Sequence, residues 1–230
     1  MSRHSKWHKV KQFKGAVDAK RSASFTKLAR EIMVAVREKG PDPGMNVRLK
    51  VAIERAKKAS MPKDNIERAV LRGAGNEAEG RLETLLYEAY APGGTALIIE
   101  CVTDNRNRTA NDVKHLLTKH GATLAAAGAV TYLFDRKGVI IVSDNFSPDR
   151  ELAFIEAGAE DIKDGKIFCS PQDLARVAEA SSGLKVESAD FEWIPKMTIE
   201  TNEEAGTVLE ELIDALEELD DVSHVYTNAA

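Results

Sequence analysis

Charge is sorted by position along this chain, and that sorting limits what the chain can fold into. Residues 1–72 carry 19 Lys and Arg against 7 Asp and Glu, whereas residues 73–230 carry 13 against 30. A local net of +12 followed by −17 is concealed in the overall −5. The split predicts a basic module for a polyanion, joined to a module with a different task. A single charge run is ordinarily a solvated face, but an excess sustained over 72 residues favours nucleic acid. With 230 residues, 43% of them apolar and 30% charged, the chain has room for one to three domains. No run approaches the ~20 apolar residues of a membrane span. The positive N-terminus leads into no apolar stretch of the kind a secretory signal needs. Cys101 and Cys169 are far apart and form no CxxC pair. That spacing predicts a reducing, cytoplasmic setting without a disulfide framework or a cysteine-rich zinc site.

The first fourteen residues hold Arg3, Lys6, Lys9, Lys11 and Lys14 with no acid, interrupted by Trp7 and Phe13. So few apolar groups predict an arm that orders on meeting a partner. Its cations would displace counterions from phosphates, and Trp7 would stack on a base or anchor the arm to its own domain. Lys20 and Arg21 continue the basic character. From Ser24, the apolar residues Phe25, Leu28, Ala29, Ile32, Met33 and Val36 recur at helical spacing, with Lys27, Arg30 and Arg37 off the stripe. Gly40-Pro41-Asp42-Pro43-Gly44 stops this helix. A second helix starts near Asn46, with Leu49, Ile53 and Ala56 inward and Arg48, Lys50, Arg55, Lys57 and Lys58 around them. A third, short helix opens at Pro62 and Asp64, buries Ile66, Ala69 and Val70, and ends at Gly73. The expectation is a basic three-helix bundle, an outline shared by DNA readers and protein-binding modules. No set of base-reaching side chains stands out in the sequence.

Several stretches resemble the YebC family: HSKW (4–7), Asp18-Ala19-Lys20-Arg21, Phe25-Thr26-Lys27-Leu28 and MPKDNIERA (61–69). The similarity continues through YEAYAPGGTALIIE (87–100), TDNRNRT (103–109), KHGA (119–122) and YLFDRKG (132–138), covering nearly the whole chain. The resemblance implies a bacterial protein of the kind described as a probable transcriptional regulator, whose mitochondrial relative is a translational activator. It also implies three domains.

Beyond the linker Gly73-Ala74-Gly75-Asn76-Glu77 the helical period ends. Thr84–Tyr90 and Thr95–Val102 read as a hairpin around Pro92-Gly93 in a type II turn. The cluster Asp104, Asn105, Arg106 and Arg108 leads into a helix with Val113, Leu116 and Leu117 on one side. It could hold an anion, but the favoured expectation is that Asp104 or Asn105 caps the helix while the arginines pair with acids. Further strands are expected at Val130–Asp135, Val139–Ser143, 161–168, 185–193, Met197–Glu200 and Val222–Thr227. Arg136-Lys137-Gly138 is expected as a turn, with helices at about 149–157, 171–181 and 203–219. The pattern predicts a multi-domain α and α+β protein: the N-terminal bundle is followed by two ferredoxin-like α+β domains, one inserted in the other. The expected domains are 1–76, then a discontinuous 77–136 with 198–230, and an insert over 137–197.

No nucleophile elbow or metal-ligand spacing occurs; His4 and His8 lie among lysines, and His115 and His120 read as polar surface groups. The expectation is therefore a non-enzyme, without cofactor, metal or catalytic residues. It should bind DNA through Lys6, Trp7, Lys9, Lys11, Lys14, Lys20, Arg21, Lys27, Arg30, Arg48 and Arg55. The alternative is a translational regulator on rRNA or the ribosome. The acidic helix at 203–219 is expected to be solvated, with a basic protein as its conceivable partner.

Overall fold

The structure, a computed structural model, describes residues 19–75 and 83–230, without the side chains of 19–24. The helices are α1 (Ala19–Lys39), α2 (Val47–Lys58), α3 (Lys63–Gly73), α4 (Arg106–Lys119), α5 (Pro148–Glu156), α6 (Leu174–Ala180) and α7 (Glu203–Glu218). The strands are β1 (Glu83–Ala91), β2 (Thr95–Thr103), β3 (Thr123–Leu124), β4 (Phe134–Val142), β5 (Ala159–Lys163), β6 (Lys166–Cys169), β7 (Val186–Pro195) and β8 (Val222–Thr227). Contacts divide the described residues into two units, 19–27 with 83–134 and 195–230, and 28–75 with 135–194.

In the second unit, α1 begins the bundle by burying Leu28, Ile32, Met33, Ala35 and Val36. Its start at Ala19 lies five residues before the apolar stripe becomes legible. Gly40, at φ +87°, ends it. Asn46 ties this end to the next helix: its Oδ1 accepts from the Leu49 amide at 3.0 Å, while Nδ2 donates to the carbonyls of Ala35 (2.7 Å) and Gly40 (3.0 Å). α2 buries Leu49, Ala52 and Ala56, with Ile53 half-buried. Four residues, Ala59 to Pro62, then lead into α3, with Ser60 at φ +62° and Met61 buried. α3 buries Ile66 and Ala69. It ends where a Cβ on Gly73 would stand 2.8 Å from Val36 Cβ and 2.9 Å from the Met33 carbonyl, so α3 meets α1 at contact distance.

The rest of this unit is a β4-α5-β5-β6-α6-β7 sequence with sheet order β5-β6-β4-β7 and antiparallel β5/β6 and β6/β4 pairs, which is the ferredoxin-like arrangement. Ile140, Val142, Phe154, Ile167, Cys169 and Val177 form its core, and Val47 and Val51 of α2 pack against it. Two expectations fail here. The predicted turn at Arg136-Lys137-Gly138 lies inside β4, because Gly138 provides closeness and no reversal. A Cβ there would be 2.8 Å from Cys169 Sγ and 3.0 Å from Leu174 Cβ. The single strand expected over 161–168 is a hairpin, turned by Asp164 (φ +51°) and Gly165 (φ +77°), the pair of left-handed residues a two-residue loop requires.

In the first unit the sheet order is β3-β1-β2-β8, every adjacent pair antiparallel. Gly93 at φ 79°, ψ 9° fits the type II turn between β1 and β2. Leu97, Ile99 and Cys101 of β2 pack with Val113 and Leu117 of α4 and with Leu209, Leu212, Ile213 and Leu216 of α7. The strand expected at Val130–Asp135 begins only at Phe134; before it, Thr131–Leu133 is a 3-10 turn. That turn is held by Glu88, 5% exposed, which accepts from the amides of Gly128 (2.6 Å), Val130 (2.7 Å) and Thr131 (2.9 Å). Met197–Glu200 makes no strand, only a single parallel bridge from Ile199 to Ala229. β8 spans the expected residues.

Candidate nucleic-acid interface

A phosphate-binding surface needs cations that are exposed and not consumed by neighbouring acids. The described cations differ in this respect. Lys6, Trp7, Lys9, Lys11 and Lys14 lie outside the described residues, and Lys20 and Arg21 are placed only as the opening turn of α1. Lys27 and Arg30 are half-buried. Lys27 Nζ donates to the carbonyl of Glu217, in the last turn of α7, where the helix dipole also favours a cation. Arg37, Lys39, Lys50 and Lys58 are exposed on α1 and α2.

Arg48 and Arg55 point elsewhere. The Arg48 guanidinium is 2.6 Å from Glu38 and 2.6 Å from Asp190, and lies 5.5 Å from the centre of the Phe191 ring. Arg136 covers the same ring at 4.9 Å, so Phe191 joins two guanidinium groups. Arg55 is 3.0 Å from Glu31. These two arginines tie α2 to β7 and to α1. Between them a narrow cleft is lined by Glu31, Arg55, Arg48 and Asp190, each cation facing an acid, together with the apolar Val51, Ala52 and Ala189.

The 103–109 loop shows how the same residue type is neutralised. Asn105 caps α4, its Oδ1 accepting from the Arg108 amide at 3.1 Å. Arg108 reaches Asp104 (2.9 Å) and Asp221 (2.9 Å). Asp221 is nearly buried and also accepts from the hydroxyls of Thr103 (3.1 Å) and Thr109 (2.7 Å). Hydrogen bonding to Asp221, then to Asp104, raises the Arg108 pKa further above its ordinary value. Arg106 stays exposed at the helix start. Asp221 lies more than a hundred residues from this loop, and no local sequence signal announces it.

Burial, with Asp173 and Glu160 adding to it, pushes the Cys169 thiol up to about 11, so it is not a thiolate at neutral pH. Among the described residues, no group of three or more His, Cys, Asp and Glu is placed to hold a metal. No described helix is long and apolar enough to cross a membrane.

Residues 5–76 match the family described as the TACO1/YebC protein N-terminal domain, and residues 82–229 match the TACO1/YebC second and third domain. A probable transcriptional regulatory protein of Persephonella marina is 50% identical over 99% of this chain and 95% of its own length. One of Thermobifida fusca is 48% identical over 100% of this chain and 96% of its own. The crystal structure of a conserved hypothetical protein from Aquifex aeolicus shares the fold with a TM-score of 0.83 at 45% identity, covering 95% of this chain and 94% of that one. The chain therefore belongs to the TACO1/YebC family.

Proposed function

We propose that this protein is a non-catalytic regulator of gene expression that grips nucleic acid with its basic N-terminal third, and that its target is DNA in transcriptional control. The observation that carries this is the charge sorting, 19 basic against 7 acidic residues in 1–72. The relatives from P. marina and T. fusca, described as probable transcriptional regulatory proteins, support the transcriptional role. In this reading Lys6, Lys9, Lys11, Lys14, Lys20 and Arg21 contact phosphates and Trp7 stacks, while exposed Arg37, Lys39, Lys50 and Lys58 extend the surface. Arg48 and Arg55 act one step back, by holding α2 in place. The acidic remainder is kept off the polyphosphate by repulsion, so contact begins with residues 1–72. The protein works in the cytoplasm, where its buried thiols stay reduced. Crosslinking in cells, with sequencing of the recovered nucleic acid, tests the proposal. DNA enriched near promoters is the expected result. Recovery of ribosomal RNA instead would move the same basic grip to translation, and recovery of no nucleic acid would overturn it.

A further inference from the structure

We infer that α2 and α3 form a helix-turn-helix and that the outer face of α3, through Lys63, Asp64, Glu67, Arg68 and Leu71, reads base edges in the major groove of duplex DNA. This rests on the proposed DNA-binding function and adds the element that would give it sequence preference. A helix-turn-helix joins its two helices by three or four residues, with a left-handed position that is often glycine. Here the connection is Ala59 to Pro62, and Ser60 takes the left-handed conformation at φ +62°. A side chain is uncommon there, so the reversal is imposed by the packing around it. Buried Met61 follows Ser60, buried Ala56 precedes it by four, and Ile66 and Ala69 close the inner side of α3. The missing Cβ of Gly73 lets α3 rest directly on the backbone of α1. The three helices thus fix α3 rigidly and leave one face outward.

That outward face has the chemistry of a reader. Lys63, Asp64, Glu67 and Arg68 are all exposed and mix both charge signs, unlike the plain cations of a phosphate grip. The Lys63–Glu67 pair, at 3.4 Å, is open to solvent. Arg68 lies along its own helix, with Nε donating to the Asp64 carbonyl and Nη2 to Asn65 Oδ1, so its planar fork is held at the surface. Two of its five N–H donors are spent on the helix, and the remaining Nη1/Nη2 edge matches O6 and N7 of guanine. Leu71, one turn further, is 59% exposed on an otherwise polar face. Contact with a thymine methyl would give that side chain an apolar partner. An α-helix fits the major groove of B-form DNA, whereas the deep, narrow major groove of duplex RNA excludes it.

Selection from a pool of random 20-base-pair DNA duplexes, using the full chain, tests this directly. The wild-type protein should enrich a defined sequence. Arg68→Ala should bind that sequence roughly 5- to 150-fold more weakly, as loss of one bidentate base contact implies. Its binding to unselected duplexes should change less than twofold, because arm and phosphate contacts are intact. Replacing thymine by uracil in the selected duplex should weaken the wild type about fourfold, one methyl's worth. The same replacement should leave Leu71→Ala unaffected. Both side chains are exposed, and circular dichroism would verify folding. If the wild type binds duplexes but enriches no sequence, or if Arg68→Ala enriches the same one with equal affinity, α3 is not the reader and the basic grip survives alone. If the wild type binds no duplex DNA, the proposed DNA function falls together with this inference.

Discussion

Two stretches of this protein put arginines at the surface of a helix, and they end differently. At the start of α4, Arg108 is drawn onto Asp104 and Asp221 and becomes part of the fold. On α3, Arg68 donates to Asp64 and Asn65 of its own helix and stays exposed. Local sequence looks similar in the two places: polar, arginine-bearing and helical. The difference is set by a carboxylate that the fold brings from a distant position. A cation's availability for phosphate or base is therefore a property of tertiary structure, and composition alone overstates it. Arg48 and Arg55 make the same point inside the basic third itself.

Breaking the α4 side of this comparison should have the largest effect. Asp221→Ala removes the buried carboxylate that Arg108, Thr103 and Thr109 share, leaving Arg108 with Asp104 as its ion-pair partner, and should cost about 3 kcal/mol in chemical denaturation. Gly138→Ala forces a methyl against Cys169 and Leu174 and should cost about 2 kcal/mol without altering nucleic-acid affinity, since it lies in the core of the ferredoxin-like sheet. Glu88 sharpens the contrast from the acidic side. Burial would raise its carboxyl pKa, but hydrogen bonds from Thr131 and from the amides of Val130 and Gly128 outweigh it and hold the group below the usual carboxylate range. A depressed folded value contributes stability above the unfolded pKa, near ~4.3, which is lost as pH falls through the folded value. Glu88→Gln should thus lose about 1.5 kcal/mol at pH 7, with the gap to wild type closing on acidification through that window. The smallest structural effect belongs to Lys50→Ala and Lys58→Ala, within about 0.5 kcal/mol each. These two variants should instead weaken binding to DNA of any sequence.

Much of the fold is legible in the residues because its signals are local. Asn46 and Asn105 cap the helices that follow them, the α1 and α7 stripes repeat at helical spacing, and Pro92-Gly93 turns its hairpin. Glycine is ambiguous, and two of the errors lie there. Gly138 reads as a turn when its role is close approach, whereas Asp164-Gly165 is a true hairpin turn hidden within an apparently continuous strand. The site is legible in charge and illegible in detail. Whether a given lysine or arginine is paired depends on acids far away in sequence, and the connection that orients α3 emerges only once Ser60 is seen at φ +62° with Met61 buried.

The central claim is that residues 1–72 grip the phosphodiester backbone, and the salt dependence of binding tests it most directly. Affinity of the full chain for a random-sequence duplex would be followed across salt concentrations and compared with a variant carrying alanine at Lys6, Lys9, Lys11 and Lys14. Four lost phosphate contacts should flatten the log-log slope by about 3.6 units. A slope unchanged by all four substitutions would contradict the account.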